Sequence, residues 1–208
     1  MTLALLDHAL LRDRMARLRD RATPPAEFRR LLGEIGLFLA LEATRDLAET
    51  TRHIETPLTA MDHPALAHPE PALVAVLRAG LGLMDGARLL LPDAPMGHIG
   101  LARDEATLAP HEYVVRLPHD LPARGVLLLD PMLATGGSAV AAVARLKQAG
   151  AAWIRFLCVV AAPEGIAALA AAHPDVPVWA AARDSHLNEH GYIVPGLGDA
   201  GDRCFGTL

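Results

Sequence analysis

The stretch "VLLLDPMLATGGSA", residues 126–139, joins an acid, two hydroxyls and two glycines within nine positions. An aliphatic run ends in Asp130. The loop "PMLATGGS" then leads into "SAVAAVARLKQAG", an alanine-rich helical pattern. Read as strand, loop and helix, the loop lies at the carboxyl end of a parallel strand, where α/β sheets bind ligands. The helix start offers unpaired N–H groups and a positive dipole end. Gly136 and Gly137 let the backbone approach an anion, and Thr135 and Ser138 add hydroxyl donors, so the loop can cradle a phosphate. It has no lysine and does not match GxxxxGK[ST]. Asp130 would repel a phosphate but suits the hydroxyls of a sugar whose phosphate fills the loop. The combination reads a ribose 5-phosphate. The blander reading is a plain strand–turn–helix with Ser138 as N-cap; the acid at the strand end favours the site.

Other candidates are weighed the same way. Arg78 leaves the apolar run "ALVAVL" beside glycines. An arginine there is costly unless it meets an anion, and its planar fork suits phosphate oxygens; the blander reading is a surface salt bridge, and the anion reading is favoured. The glycines after it, Gly80, Gly82 and Gly86, are spaced GxGxxxG, one residue too long for the dinucleotide fingerprint GxGxxG. Acids do follow at Asp104 and Glu105, at about the ~20-residue offset that fingerprint wants, but the glycine spacing tells against it. Arg103 lies in "RDEATLAPH", which reads as a loop able to close over a polyanion. His186 and His190 in "HLNEH" do not make HExxH and read as loop histidines, not zinc ligands.

These residues need a scaffold that turns strand ends towards one edge. Short aliphatic strands are predicted at 72–77, 97–101, 112–117, 126–130, 153–160 and 177–181, with helices at 81–91, 138–149 and 163–172. That alternation predicts an α/β fold with a mainly parallel central sheet flanked by helices. Two helices precede it, at 4–20 and 25–50, the second with Thr23 as candidate N-cap. Residues 56–71 read as a loop or short hairpin, and "LNEHGYIVPGLGDAGDRCFGTL" as a long irregular segment of the kind that carries function. The 208 residues form a single domain, 1–208, on this reading. They are 52% hydrophobic but only 4% aromatic, so the core must be aliphatic. A net charge of −5 gives no basic face for nucleic acid. No apolar run is long enough to span a bilayer, and the N-terminus has no signal-peptide pattern. Cys158 and Cys204 form no CxxC, which points to a reduced, cytoplasmic protein without a zinc site.

Four motifs then fall in one order: "LRAGLGLMDG", "RDEATLAPHEY", "LLLDPMLATGGSA" and "LNEHGYIVPGLGDAGDRCFGT". In this the chain strongly resembles the uracil phosphoribosyltransferase family, from about Phe28 to Leu208. The resemblance implies a type I phosphoribosyltransferase fold with N-terminal helices, a hood and a C-terminal base-binding segment. It implies transfer of the phosphoribosyl group of 5-phosphoribosyl 1-diphosphate (PRPP) to uracil, giving UMP and diphosphate in pyrimidine salvage, with Mg²⁺ bound mainly through the diphosphate. Arg78 and Arg103 would hold the PRPP diphosphate. Asp130, Pro131, Met132, Leu133, Ala134, Thr135, Gly136, Gly137 and Ser138 would hold ribose and 5-phosphate. Ile193, Gly198, Asp199 and Ala200 would read uracil, with Asp199 also facing PRPP. Arg103, Asp130 and Asp199 would be the catalytic residues, with no protein metal ligands. A homo-oligomer and a purine-nucleotide effector are further implications. Ala102 stands where the family carries an aromatic, and Leu41 stands in "LEAT" where "YEAT" is expected. The alternative is a regulator of the same fold that binds a pyrimidine nucleotide and RNA, and the acidic balance argues against it.

Overall fold

The structure, a computed structural model, describes residues 1–103 and 110–207. A short strand β1 (Leu3–Leu5) precedes helices α1 (Ala9–Arg19) and α2 (Pro25–Ala43). Strands β2 (Glu49–Glu55) and β3 (Ala60–Leu66) pair as an antiparallel hairpin apart from the main sheet. Then follow β4 (Ala72–Leu77), α3 (Gly80–Leu90), β5 (Met96–Arg103) and β6 (Pro110–Arg116). After a 3₁₀ turn at Leu121–Ala123 come β7 (Val126–Leu129), β8 (Met132–Leu133) and α4 (Gly137–Gln148). The chain closes with β9 (Ile154–Ala161), α5 (Pro163–Ala172), β10 (Val178–Arg183), β11 (His186–Leu187), β12 (Ile193–Val194) and α6 (Ala200–Phe205).

The main sheet runs β1-β10-β9-β7-β4-β5-β6, with β8 beside β9. Every pairing in it is parallel except β5 with β6. The central strands are aliphatic at consecutive positions because both faces are covered. Leu73, Ala75, Leu127, Leu129, Leu157 and Val159 join the core that α1, α2 and α3 close. Val74, Val76, Val126, Leu128, Phe156 and Cys158 join the core that α4 and α5 close.

Several elements differ from the sequence reading. Residues 3–5 are not helical: they pair with β10, Leu3 opposite Val178, and α1 starts only after His8, whose ring accepts the Leu10 N–H at 3.2 Å. The open edge of β10 outcompetes the helical propensity of "LALL". Thr23 is not the N-cap of α2; Pro24 holds that place, and the Thr23 hydroxyl donates to the Arg17 carbonyl at 2.6 Å. Helix α2 stops at Ala43, seven residues short of the reading, where the Thr44 hydroxyl bonds back to the Ala40 carbonyl at 2.8 Å. The next residues, with Thr50, Thr51 and Ile54, enter β2 instead. The C-terminal segment holds a two-strand ribbon and a six-residue helix that its Gly-rich composition concealed.

The glycine run after Arg78 has a packing role. Helices α2 and α3 approach so closely that a Cβ on Gly86 would lie 1.7 Å from the Gly33 carbonyl oxygen. One on Gly36 would lie 2.3 Å from the Leu83 carbonyl oxygen. Gly82 and Gly86 therefore mark a helix–helix seam with α2, whereas Gly80 faces the Leu129 carbonyl of the sheet. Gly86→Ala is expected to destabilise the fold by about 2 kcal/mol or more, since the obstacle is backbone that cannot swing away. Leu89→Ala, on the same helix but largely exposed, is expected to stay within about 0.5 kcal/mol of wild type. Chemical denaturation of both variants checks this; equal stability of Gly86→Ala and wild type would refute the seam.

Candidate active site

The loop after β7 is held from behind. The Pro131 carbonyl accepts the N–H groups of Val159 and Val160 at 3.0 and 3.1 Å. Strand β8 pairs with Val160 and Ala161 of β9, and the Leu133 carbonyl accepts the Ala162 N–H at 2.9 Å. Gly136 sits at φ 86°, a left-handed conformation that disfavours other residues. It is the N-cap of α4, in place of Ser138, and no side chain caps that helix. The N–H groups of the first turn are thus left without a side-chain partner among the described residues. Thr135 and Ser138 are exposed beside them.

Asp130 closes β7, with its N–H bonded to the Leu157 carbonyl at 3.1 Å. One carboxylate oxygen accepts the Met132 N–H at 3.3 Å. The residue keeps some contact with solvent, yet protein surrounds its carboxyl. Burial pushes the pKa up to about 7, and the single Met132 bond offsets this only in part.

The opposite wall comes from two further elements. Arg78 follows β4 and is half exposed; its guanidinium reaches Asp202 at 3.2 Å and Thr207 at 3.4 Å and lies 5.7 Å from the Phe205 ring. Asp199 caps α6 by accepting the Asp202 N–H at 2.9 Å. Gly196 and Gly198 both take positive φ, 62° and 77°. A Cβ on Gly196 would lie 2.1 Å from the Ile193 carbonyl oxygen, so the turn demands glycine there.

These walls enclose a cleft of about 460 Å³. Of the residues singled out in the sequence, it is lined by Arg78, Asp130, Met132, Ala134, Thr135, Gly136, Ser138, Ile193, Gly198, Asp199 and Ala200. Pro131 and Leu133 lie behind the loop, buried, and Gly137 begins the helix. Arg103 ends β5 opposite Pro110; its side chain, and the 104–109 segment with Asp104 and Glu105, lie outside the described residues. The cleft also takes in Ala79, His190, Gly191, Tyr192 and Gly201, which the sequence reading did not single out as ligand-binding. The signal for His190 and Tyr192 was Asn188, whose side-chain oxygen accepts both their N–H groups, at 3.0 and 2.9 Å, and so folds the β11–β12 turn. Among the described residues no three His, Cys, Asp or Glu side chains gather as a metal-holding group.

Comparison with protein families matches residues 5–207 to the family described as uracil phosphoribosyltransferase. A uracil phosphoribosyltransferase of Paracoccus denitrificans is 54% identical over 205 residues, covering 99% of this chain and 97% of that protein. One from Rhizobium rhizogenes is 53% identical over 203 residues, covering 98% and 97%. Among solved structures, a protein from Aquifex aeolicus superposes with a TM-score of 0.93 at 34% identity, covering 98% of both chains. A hypoxanthine-guanine phosphoribosyltransferase from Bacillus anthracis, at 13% identity and a TM-score of 0.51 over 74% of this chain and 78% of that one, shares the fold alone. The architecture is that of the type I phosphoribosyltransferases.

The raised pKa of Asp130 has a consequence for stability. An aspartate ordinarily titrates near 3.8, and this one near 7 in the folded chain. The fold therefore favours the protonated acid, and the associated stability is full below about pH 4 and lost as pH rises through about 7. Asp130→Asn cannot ionise. Its melting temperature relative to wild type is expected to be higher at pH 8 than at pH 5, while turnover falls at both. A melting difference independent of pH would contradict the buried-acid account.

Proposed function

The chain belongs to the uracil phosphoribosyltransferase family, an enzyme family whose substrates are uracil and PRPP, and from that premise we propose how its cleft divides between them. The 5-phosphate binds the uncapped start of α4 with Thr135, Gly136, Gly137 and Ser138. The ribose hydroxyls face Asp130. The diphosphate lies towards Arg78 and Arg103. Uracil meets the backbone of Ile193, Gly198, Asp199 and Ala200. The carrying observation is the pinned loop with its uncapped helix start beside one buried acid.

Each part has a physical reason. The loop is preorganised by β9, so little ordering is left to do on binding. Arg78 holds Asp202 and Thr207 only at long distances, and a diphosphate would draw it away. Uracil presents two carbonyl acceptors and an N–H donor, which backbone groups of a glycine-rich turn can match. Cytosine replaces one carbonyl with an amino group and leaves buried donors facing each other.

In the reaction the C1′–oxygen bond to diphosphate breaks, the bond from C1′ to uracil N1 forms, and the N1 proton is lost to solvent. The ribosyl carbon passes through an oxocarbenium-like state. Asp199, and Asp130 in the fraction ionised around its pKa of about 7, offer negative charge to it, and Arg78 and Arg103 stabilise the charge left on the diphosphate. Mg²⁺ would neutralise the diphosphate further. Among the described residues the cleft carboxylates, Asp130 and Asp199, come from separate elements and make no cage, which suits an ion that keeps its waters and arrives on the substrate phosphates.

The reading extends to assembly. Hairpin β2–β3 is exposed along nearly its whole length, with Leu58 94% accessible and Met61 and Leu66 also open. A lone two-stranded hairpin is marginal in water, so a further copy of this chain is taken to cover it. One domain over 1–208, the cytoplasm as location and a purine-nucleotide effector complete the proposal. Two free buried cysteines are compatible with a reducing compartment, and no described helix is long and apolar enough to cross a membrane. The RNA-regulator alternative gains no support from relatives that carry the enzyme's name.

Incubation with PRPP and Mg²⁺ is expected to yield UMP from uracil, with cytosine, orotate, hypoxanthine and adenine far slower. Faster product from any of the other bases would overturn the assignment. The loop is tested at Thr135 rather than Gly136, because a side chain on Gly136 would press on Gly165 and Ala168 of α5. Thr135→Ala is expected to weaken PRPP and UMP together by about 1 kcal/mol and to leave diphosphate binding nearly unchanged. Calorimetry with the three ligands decides; a loss confined to diphosphate would put the 5-phosphate elsewhere.

A further inference from the structure

The segment that faces the base has little of its own to hold it. From Ile193 it runs Ile-Val-Pro-Gly-Leu-Gly-Asp-Ala, with two positive-φ glycines. A site that reads a base with backbone groups needs those groups fixed to a fraction of an ångström. The support comes from the far end of the chain. Arg19, the last residue of α1, forks onto Asp184, with its two terminal nitrogens 2.8 and 2.7 Å from the two carboxylate oxygens. The Arg19 nitrogen at 2.8 Å also donates to the Gly196 carbonyl at 2.7 Å, and the Asp184 oxygen it meets accepts the Gly196 N–H at 2.9 Å. Both polar groups of the Gly196 backbone are thus held by one ion pair. The Asp184 side chain is 4% exposed and that of Arg19 is 23% exposed.

We propose that Arg19 and Asp184 are positioning residues for the nucleobase: they clamp Gly196 so that Gly198, Asp199 and Ala200 meet uracil in a fixed register. This rests on the placement of the base proposed above. The next peptide is gripped too, since Arg203 donates to the Leu197 carbonyl at 2.7 Å and to the Asp20 carbonyl at 2.5 Å while lying 4.5 Å over the Phe28 ring. With Gly196 and the Leu197 carbonyl engaged away from the cleft, the glycine-rich stretch that lines it begins at Gly198. Neither Arg19 nor Asp184 lines the cleft, so neither touches substrate. Helix α1 has its own anchor in the buried side chains Leu11, Met15 and Leu18. The fork is therefore not what docks the helix.

The test separates base from phosphate. Arg19→Lys keeps the charge and loses the fork; Asp184→Asn keeps the shape and loses the charge. In both, the KM for uracil is expected to rise by about tenfold or more, as a displaced binding group implies, with the KM for PRPP within about twofold of wild type. Arg19→Ala is expected to behave likewise, and added guanidinium ion to restore its uracil KM in part; if that variant does not fold, Arg19→Lys carries the measurement. Equal rises in both KM values, or wild-type uracil KM in folded Arg19→Lys and Asp184→Asn, would overturn the proposal. Hydrogen exchange on the wild type tests the underlying placement on its own. UMP is expected to protect amides 193–200 beyond what ribose 5-phosphate does. Equal protection by the two ligands would remove the base from this turn, whatever the variants do.

Discussion

Both halves of the cleft hang on the carboxyl end of one strand. At β9 the Val159 and Val160 N–H groups take the Pro131 carbonyl, the Ala162 N–H takes that of Leu133, and the Ala161 carbonyl receives the Asp184 N–H at 2.9 Å. The 130–138 loop and the segment leading to the Gly196–Gly198 turn are therefore registered against the same few peptides. Strand β9 can serve as this datum because it is buried on both faces between β7 and β10 and cannot shift without opening two cores. A sheet edge would give no such reference, since its unpaired groups are free to find other partners.

On that rigid frame the charged groups are left underused. Asp130 keeps one hydrogen bond and a pKa near 7. Arg78 is half exposed, with long contacts to Asp202 and Thr207. The helix α4 start has no cap. Each is a small loss to the ligand-free fold, and on the proposed placement each would be recovered when a phosphorylated sugar supplies the missing partner. Arg19 and Asp184 show the opposite treatment, with every strong contact satisfied inside the protein. The contrast sorts the groups proposed to meet substrate from those proposed to hold the frame.

What the sequence revealed follows the same division. The doubly buried strands β4, β7 and β9 were legible as aliphatic runs, and the 130–138 loop as a strand end, two glycines and hydroxyls at a helix start. The two glycines of the C-terminal turn were visible as composition, but their positive φ and the little helix α6 were not. Strand β1 was misread because three apolar residues fit either period, and the choice was made by the free edge of β10. The Gly80–Gly86 cluster looked like a nucleotide loop at wrong spacing; the meaning of Gly82 and Gly86 lay in the earlier helix α2, whose Gly33 and Gly36 complete the seam, while Gly80 faces the sheet. The hairpin was half seen, since its exposed strands carry no buried face to impose a period.

The Arg19–Asp184 fork was the least legible feature, and the reason is general. Its partners are 165 positions apart, and Arg19 and Gly196 are 177 apart. No local window contains both, and each alone looks like an ordinary surface charge. Yet a base read through backbone groups puts unusual weight on such distant contacts. A side-chain reader can adjust its rotamer when the frame moves; a peptide N–H or carbonyl has no such freedom and is only as exact as the turn that carries it. Specificity for one pyrimidine edge over another requires buried donors and acceptors to be matched within hydrogen-bond tolerance. A glycine-rich turn is needed to bring the backbone that close, and it is also the least self-supporting kind of chain. On the proposed placement of the base, its chemistry thus creates the need for a clamp from outside the turn, and the end of α1 is where this fold supplies it.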